Sequence, residues 1–307
     1  ALRETEQIYR DVVDNVADAI VINVGTRQAF VNRAFLALHG LHDTSDVIGR
    51  PMEDFIVPED RKMVVQRTLA RQRGENPPAV YEHRIRRADG EERTVQISAV
   101  PITYRGQPAA LAVLHDVTER KRAEALQAGQ TGVLELVTRG RPLREVLDAL
   151  VRVIEQRFPG VRCSILVTDK EGKRLQHGAA PSLSEQFNKA VDGLEIGQQA
   201  GACGTAAFRR QTVIVESIET DPLWVGFREQ AAAEGLRGCW SIPVFSEEGI
   251  VLGTICMYYA EARGPSRGES ELMETASKLA GLAIERKLAE REIRRLALAV
   301  DTMGEGL

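Results

Sequence analysis

Three stretches of this chain repeat apolar residues in steps of three and four, and two blocks of short alternating strands lie between them. Residues 2–19 set Leu2, Thr5, Tyr9, Val12, Val16 and Ala19 on one narrow, mostly apolar seam. "TERKRAEALQAGQTGVLELV" keeps Ala123, Leu126, Gln130, Val133 and Val137 on a second seam, weakened by Gly129, Gln130 and Gly132. From Leu272 a third runs through Thr275, Leu279, Leu282, Arg286, Ala289, Ile293, Leu296, Val300 and Met303, with charges such as Glu285, Lys287, Glu290, Arg291 and Arg294 on other faces. A seam sustained this long predicts a parallel two-stranded coiled coil and therefore a homodimer; the alternative is one amphipathic helix folded on its own domain. Helix, strands, helix, strands, helix makes an α+β chain of two antiparallel-sheet domains joined by long helices.

Composition narrows the class. A length of 307 residues fits about two domains. With 44 acidic and 40 basic residues the formal charge is -4, which implies no nucleic-acid partner. No apolar run is long enough to span a membrane, and no charged-then-apolar leader opens the chain. Cys163, Cys203, Cys239 and Cys256 are scattered without a CxxC pair, as in a reduced, cytoplasmic protein. The chain opens on Ala1 within one helical pattern and stops at "VDTMGEGL" within another, so a piece of a longer protein is expected.

In the first block "AIVIN" and "QAFVN" read as strands about a turn at 24–27, and "RAFLALHGL" as a helix stopped near Gly40. "VPEDRKMVVQRTLARQRGENPP" reads as a longer helix that Asp60 can cap and Pro77-Pro78 cannot continue. Three antiparallel strands follow, with turns at Ala88-Asp89-Gly90 and Arg105-Gly106. The set "DAIVIN", "FVNRAF", "VIGRP", "VPEDR", "YEHRIRRADGEERTVQISAVPI" and "LAVLHDVTERKRAE" resembles the PAS family. That resemblance implies a ligand- or redox-sensing pocket or a dimerisation role rather than catalysis. It also implies that flavin photochemistry is absent, since no cysteine stands in the pocket helix. Haem-binding relatives use a histidine on the long helix, and residues 60–73 contain none; His39, His42 and His83 remain. The cofactor is therefore left unknown, haem and flavin not being excluded, and a small or empty pocket is expected. Met63 and His83 are the candidate pocket residues, although Met63, Phe35 and Ile85 read as core rather than as a cofactor box.

In the second block "PLREVLDALVRVIEQRF" is a helix with Pro142 near its first turn. "RCSILVTD", "RLQHGAA", "TVIVESI", "GCWSIPVF" and "IVLGTICMYYA" read as strands, with the helix "GTAAFRRQ" and the segment "DPLWVGFREQAAAEGL" between them. "HGAAPSLSEQFNKAVDGLEIG", "GACGTAAFRRQTVIVESIETDPLW", "LRGCWSIPVFSEEGIVLGTICMYY" and "AIERK" resemble the GAF family, which implies a central antiparallel sheet with a pocket in front. Gly204-Thr205 is read as a helix start whose free amides could meet an anion or simply pack. Cys203 and Cys239, each beside a glycine, are read as a redox pair or as small buried hydrophobes. Alternation leaves Trp240 facing pocket or core, Trp224 is read as a loop anchor, and His177 is the remaining candidate ligand residue. "GACGTAA" also resembles the pocket loop of free methionine sulfoxide reductases, but the further cysteines of those enzymes do not stand in the matching places.

The joint "VLHDVTERKR" raises a separate question. His115 beside an acidic residue looks like a phosphoacceptor, yet "ALAVLHDV" alternates as a strand. Asp116 and Thr118 are read instead as an exit motif, with Asp116 capping the next helix and Glu119 completing a capping-box-like pair. The expected layout is an N-terminal helix (1–20), a PAS-like domain (10–118), a helical linker (119–140), a GAF-like domain (141–289), a coiled-coil helix (268–303) and the start of a further domain (297–307). The expected role is non-catalytic sensing of a small ligand or redox signal, passed through dimeric helices to an output domain in the same chain. That output would be a histidine kinase, diguanylate cyclase or phosphodiesterase. A GAF-housed thiol reductase and a purely structural dimerisation module are the alternatives.

Overall fold

The computed structural model describes residues 13–304, with side chains through residue 296. Contacts divide the chain into two units, at Glu124/Ala125. Of the N-terminal helix read over 1–20, residues 1–12 lie outside the described residues, 13–15 are helical, and the rest of the reading is corrected: the helix stops before Val16, and Ala19 and Ile20 already belong to the first strand. The last residues of the further domain read at 297–307 also lie outside the described residues.

The first unit is built on strands β1 (Ala19–Val24), β2 (Arg27–Val31), β3 (Val80–Arg86), β4 (Glu92–Tyr104) and β5 (Gln107–Asp116). They pair antiparallel in the order β2-β1-β5-β4-β3. Arg105 and Gly106 both take positive φ in the two-residue β4–β5 turn, the backbone that matches strand twist in a tight hairpin. Register sets Val21 opposite Ala112, Ala112 opposite Ala99, and Ile97 opposite Leu114, so these side chains share one buried face. Helices α1 (Arg33–His39) and α2 (Pro58–Gln72) and a short 3-10 turn (Met52–Phe55) cover that face.

Two readings of α2 are corrected. Asp60 does not cap it: Val57 is the cap position and Pro58 starts the helix, where a missing N–H costs nothing. The Asp60 carboxylate accepts instead from the Arg84 backbone N–H on β3, at 2.8 Å. The helix also ends before Pro77-Pro78, at Gln72, with Gly74 left-handed just beyond it.

The second unit holds β6 (Arg162–Thr168), β7 (Arg174–Ala179), β8 (Leu194–Glu195), β9 (Val213–Val215), β10 (Gly238–Phe245) and β11 (Val251–Tyr259), in the order β8-β7-β6-β11-β10-β9. Both faces of its central strands are buried. One face packs on the end of α3 (Thr118–Thr138), on α4 (Leu143–Arg157) and on α8 (Arg267–Gly304); the other on α5 (Glu185–Val191), α6 (Gly201–Arg209) and α7 (Arg228–Ala233).

The helical seams are only partly free. Val133 and Val137 of α3 are buried in the second unit's core. On α8 the buried face is Leu272, Met273, Ala276, Ala280, Ala283 and Ile284, rotated from the predicted seam; Leu282, Ile293 and Leu296 of that seam are exposed. Val300 and Met303 lie beyond the described side chains.

Close backbone approach explains Gly281, where an added Cβ would stand 2.5 Å from the Phe245 carbonyl oxygen of β10. Gly281→Ala is expected to destabilise the second unit by about 1–3 kcal/mol through overpacking. Gly132→Ala on α3, where a Cβ meets nothing within 4 Å, is expected to be neutral or to stabilise by up to about 1 kcal/mol. Urea unfolding followed by tryptophan fluorescence checks both, because Trp224 and Trp240 both lie in this unit.

Candidate functional site

A cavity of about 40 Å³ lies between the first unit's sheet and its helices. The inward positions of β1, β3, β4 and β5 supply Val21, Asn23, His83, Ile85, Ile97, Ala99, Ala110, Ala112 and Leu114. From the other side come Phe35 and His39 of α1, Met52 and Phe55, and Val64, Thr68 and Arg71 of α2. Steps of four and three put those last three on one face of α2. Met63, the methionine picked from sequence, does not line the cavity. One position along a helix turns a side chain by about 100°, and Met63 packs half-buried beside Met52, Ile56 and Val64. His83 does line it, joined by His39.

Both imidazoles are held neutral. Burial pushes His39 down to about 4, and the nearby Arg87 charge adds to this. Its Nδ1 lies 2.9 Å from the Phe35 carbonyl oxygen, so that nitrogen carries the proton, and its ring stacks on Phe35 at 4.0 Å. Burial likewise pushes His83 down to about 4, and its Nδ1 has no hydrogen-bond partner. A pocket able to enclose a large cofactor spans roughly 300–1,000 Å³, so the cavity as folded admits neither haem nor flavin. Among the described residues no three His, Cys, Asp or Glu side chains gather closely enough to hold a metal ion.

The second unit places its candidates differently. Alternation puts Trp240, Ile242 and Val244 on the face covered by α4 and α8, so Trp240 is core and does not face the side covered by α5, α6 and α7. The opposite face carries Cys239, Cys256 and Tyr258, with Cys203 on α6 above them. Cys256 shares this face, its thiol 3.9 Å from the Met257 carbonyl oxygen, and it is the neighbouring thiol that most affects Cys203. All four cysteines are free and buried. The Cys256 contact, and then burial, push the Cys203 thiol well above its ordinary range; burial does the same to Cys256. A thiol so protonated and enclosed is a poor nucleophile, which disfavours both the exposed redox pair and the reductase reading.

The anion-binding start read at Gly204-Thr205 is also corrected. Helix α6 begins at Gly201, and Gly204 sits inside it, where a Cβ would meet the Glu195 carbonyl oxygen at 2.5 Å. Thr205 is buried, its hydroxyl accepting from the Ala200 N–H at 3.2 Å and donating to the Gln198 carbonyl at 3.4 Å. Trp224 does anchor its loop, edge-on to Tyr258 at 6.4 Å. His177 lies apart, in an open cleft of about 370 Å³ with Arg144, Asp148, Asn188 and Asp192.

The joint after β5 is tightly bonded. One Asp116 oxygen accepts from the Thr118 N–H (2.9 Å) and hydroxyl (2.6 Å); the other accepts from Arg93 (3.0 Å). The Thr118 hydroxyl accepts from the Thr94 N–H of β4 at 3.0 Å, and the Val117 N–H donates to the Thr94 carbonyl at 3.0 Å. Burial works against ionising Asp116, but the Thr118 and Arg93 hydrogen bonds hold its carboxyl below the ordinary range. Asp116 is thus the last residue of β5, two before the first helical residue, and its carboxylate ties the helix start to β4. Glu119 accepts from Arg122 at 2.8 Å. His115 is a strand residue with its Nδ1 2.7 Å from Asp18.

Family models match in the same two places: a PAS domain over residues 17–119 and a GAF domain over residues 140–285. The chain is a PAS domain followed by a GAF domain. A methyl sulfide methyltransferase-associated sensor of Methanosarcina acetivorans is 42% identical over 173 residues, 56% of this chain and 17% of that protein. Sporulation kinase A of Bacillus subtilis is 28% identical over 118 residues, 38% of this chain and 19% of that one. A blue-light-activated histidine kinase of Brucella ovis is 31% identical over 124 residues, 39% of this chain and 25% of that one. The chain thus spans a quarter or less of each of these relatives. The PAS and GAF domains and the sensor kinases among the relatives support a sensory role. No helix among the described residues is long and apolar enough to cross a membrane.

The two cavity histidines make the PAS domain acid-sensitive. Unfolded imidazoles take up protons near pH 6.5 while the folded ones resist until about pH 4. Their stabilising contribution is full above about pH 6.5 and is lost as pH falls to about 4, by about 3 kcal/mol per histidine taken singly. Between pH 7.5 and 4.5 the urea midpoint by circular dichroism is expected to fall ahead of the tryptophan midpoint, which reports the GAF domain alone. His83→Leu should shrink that gap.

Proposed function

We propose that this chain is the non-catalytic input region of a longer signalling protein. A small molecule occupies the PAS cavity, the Asp116–Thr118 joint converts the sheet's response into a movement of α3, and α8 carries the signal onward in a parallel homodimer to an output domain. The observation that carries this reading is the joint itself, where β4, the end of β5 and the first turn of α3 share one hydrogen-bonded network. A sheet distortion cannot pass this point without moving the helix start or breaking those bonds, and helix shifts of this kind are a common switching device. A histidine kinase is the favoured output, supported by the kinases among the relatives. The exposed Leu282, Ile293 and Leu296 of α8 support the dimer, since the GAF core leaves them uncovered.

In the full-length protein, Asp116→Ala and Thr118→Val are expected to cut the signal-dependent change in output at least tenfold while the chain stays folded, and His115→Ala is expected to leave output unchanged. Unaltered signalling in both joint variants, or abolished phosphorylation in His115→Ala, contradicts the reading. Light scattering of the 307-residue chain at micromolar concentration should give a dimer mass; a monomer mass removes the dimer from the account.

A further inference from the structure

The PAS cavity has one charged lining residue, and that charge is unpaired. Arg71 is 3% exposed, and its guanidinium donates to the carbonyls of Arg67 (3.4 Å) and Pro78 (2.7 Å). Among the described residues no carboxylate stands at ion-pair distance from it, and no acidic side chain lines the cavity. A buried cation without a counter-charge is unfavourable unless something supplies one. The polar groups around it are also left open. Asn23, Gln28 and His83 are each at least nine-tenths buried, and Asn23 Oδ1, Gln28 Oε1 and His83 Nδ1 have no hydrogen-bond partner. Either amide can present its NH2 end after a half-turn about its last torsion. Thr68, Tyr81 and His39 add polar groups, and the rest of the wall, including Val21, Phe35 and Ile97, is apolar. At about 40 Å³ the cavity corresponds to roughly three water-sized spheres. That is room for a ligand of about three to five heavy atoms.

We propose that the PAS cavity binds a short-chain monocarboxylate the size of acetate or propionate, its carboxylate on Arg71 and its alkyl end against Val21, Phe35 and Ile97. Charge selects an anion, the apolar wall selects a carbon chain over an inorganic oxyanion, and the volume sets the chain length. This inference rests on the sensory reading of the cavity and names the class of ligand it takes.

Calorimetric titration of the 307-residue chain with sodium acetate, propionate, hexanoate and nitrate, and with acetamide, tests it. Saturable one-to-one binding of acetate or propionate is expected, with hexanoate, nitrate and acetamide at least tenfold weaker. Arg71→Gln should weaken the carboxylate at least tenfold. Thr68→Val, which leaves the Arg71–Pro78 bond in place, should weaken it two- to tenfold and decides the matter if Arg71→Gln does not fold. No saturation by either short carboxylate up to tens of millimolar overturns the proposal. So does equal binding of acetamide or nitrate, or unchanged affinity in every folded variant. Equal binding of acetamide would remove the anion class while leaving the sensory reading intact; carboxylate binding with unaltered signalling in the joint variants would do the reverse.

Discussion

The account depends on a four-residue network in which Asp116 and Thr118 bind Arg93 and Thr94. The Thr118 hydroxyl is committed twice, donating to the Asp116 carboxylate and accepting from the Thr94 N–H, and the carboxylate is committed to both Thr118 and Arg93. Hydrogen bonds to an ionised group are about twice as strong as neutral ones, and linked bonds polarise one another. Thr118 and Val117 are buried, so water cannot readily replace a lost partner. The first turn of α3 is therefore an extension of the PAS sheet rather than a tether hung from it. No other side chain at the position of Thr118 offers a donor, an acceptor and so short a reach, except serine.

The two domains meet the problem of a filled interior in different ways. The PAS sheet buries one face and leaves a small void floored by short side chains, Ala99, Ala110 and Ala112, with neutral imidazoles and a guanidinium in its walls. The GAF sheet buries both faces, and the side where a pocket is expected is filled by thiols, hydroxyls and aromatics packed under α6, including a Ser164–Tyr258 hydrogen bond of 3.0 Å. Ligand entry into the PAS domain needs a polar guest for polar walls; in the GAF domain it would first have to displace packed side chains.

Much of this was legible before any coordinates. The strands were visible because inward and outward residues alternate in the PAS half, and the hairpin turns because glycine takes the positive φ they require. The errors have local causes. Asp60 resembled a cap, but Pro58 already begins the helix and leaves Asp60 free to bind β3. Strands buried on both faces, such as β10, alternate without a polar side, so Trp240 could be grouped with Ile242 and Val244 but not assigned to a face. Cys256 was passed over because partnership among thiols depends on register between distant strands. Arg71 was missed although its spacing from Val64 and Thr68 was readable, because an arginine on a helix normally points to water. The α8 seam was drawn one step off the face that the GAF core takes, since alanines at 276, 280 and 283 bury as readily as leucines.

The most direct measurement is amide hydrogen exchange at Thr94 and along the first turns of α3, comparing the chain with Thr118→Val. Because the Thr94 N–H donates to the Thr118 hydroxyl across the joint, the account predicts faster exchange at Thr94 and at residues 120–123 together, with β1 and β2 unchanged. Unaltered protection of Thr94, or loss at Thr94 with the α3 amides unaffected, would contradict the claim that sheet and helix move as one element.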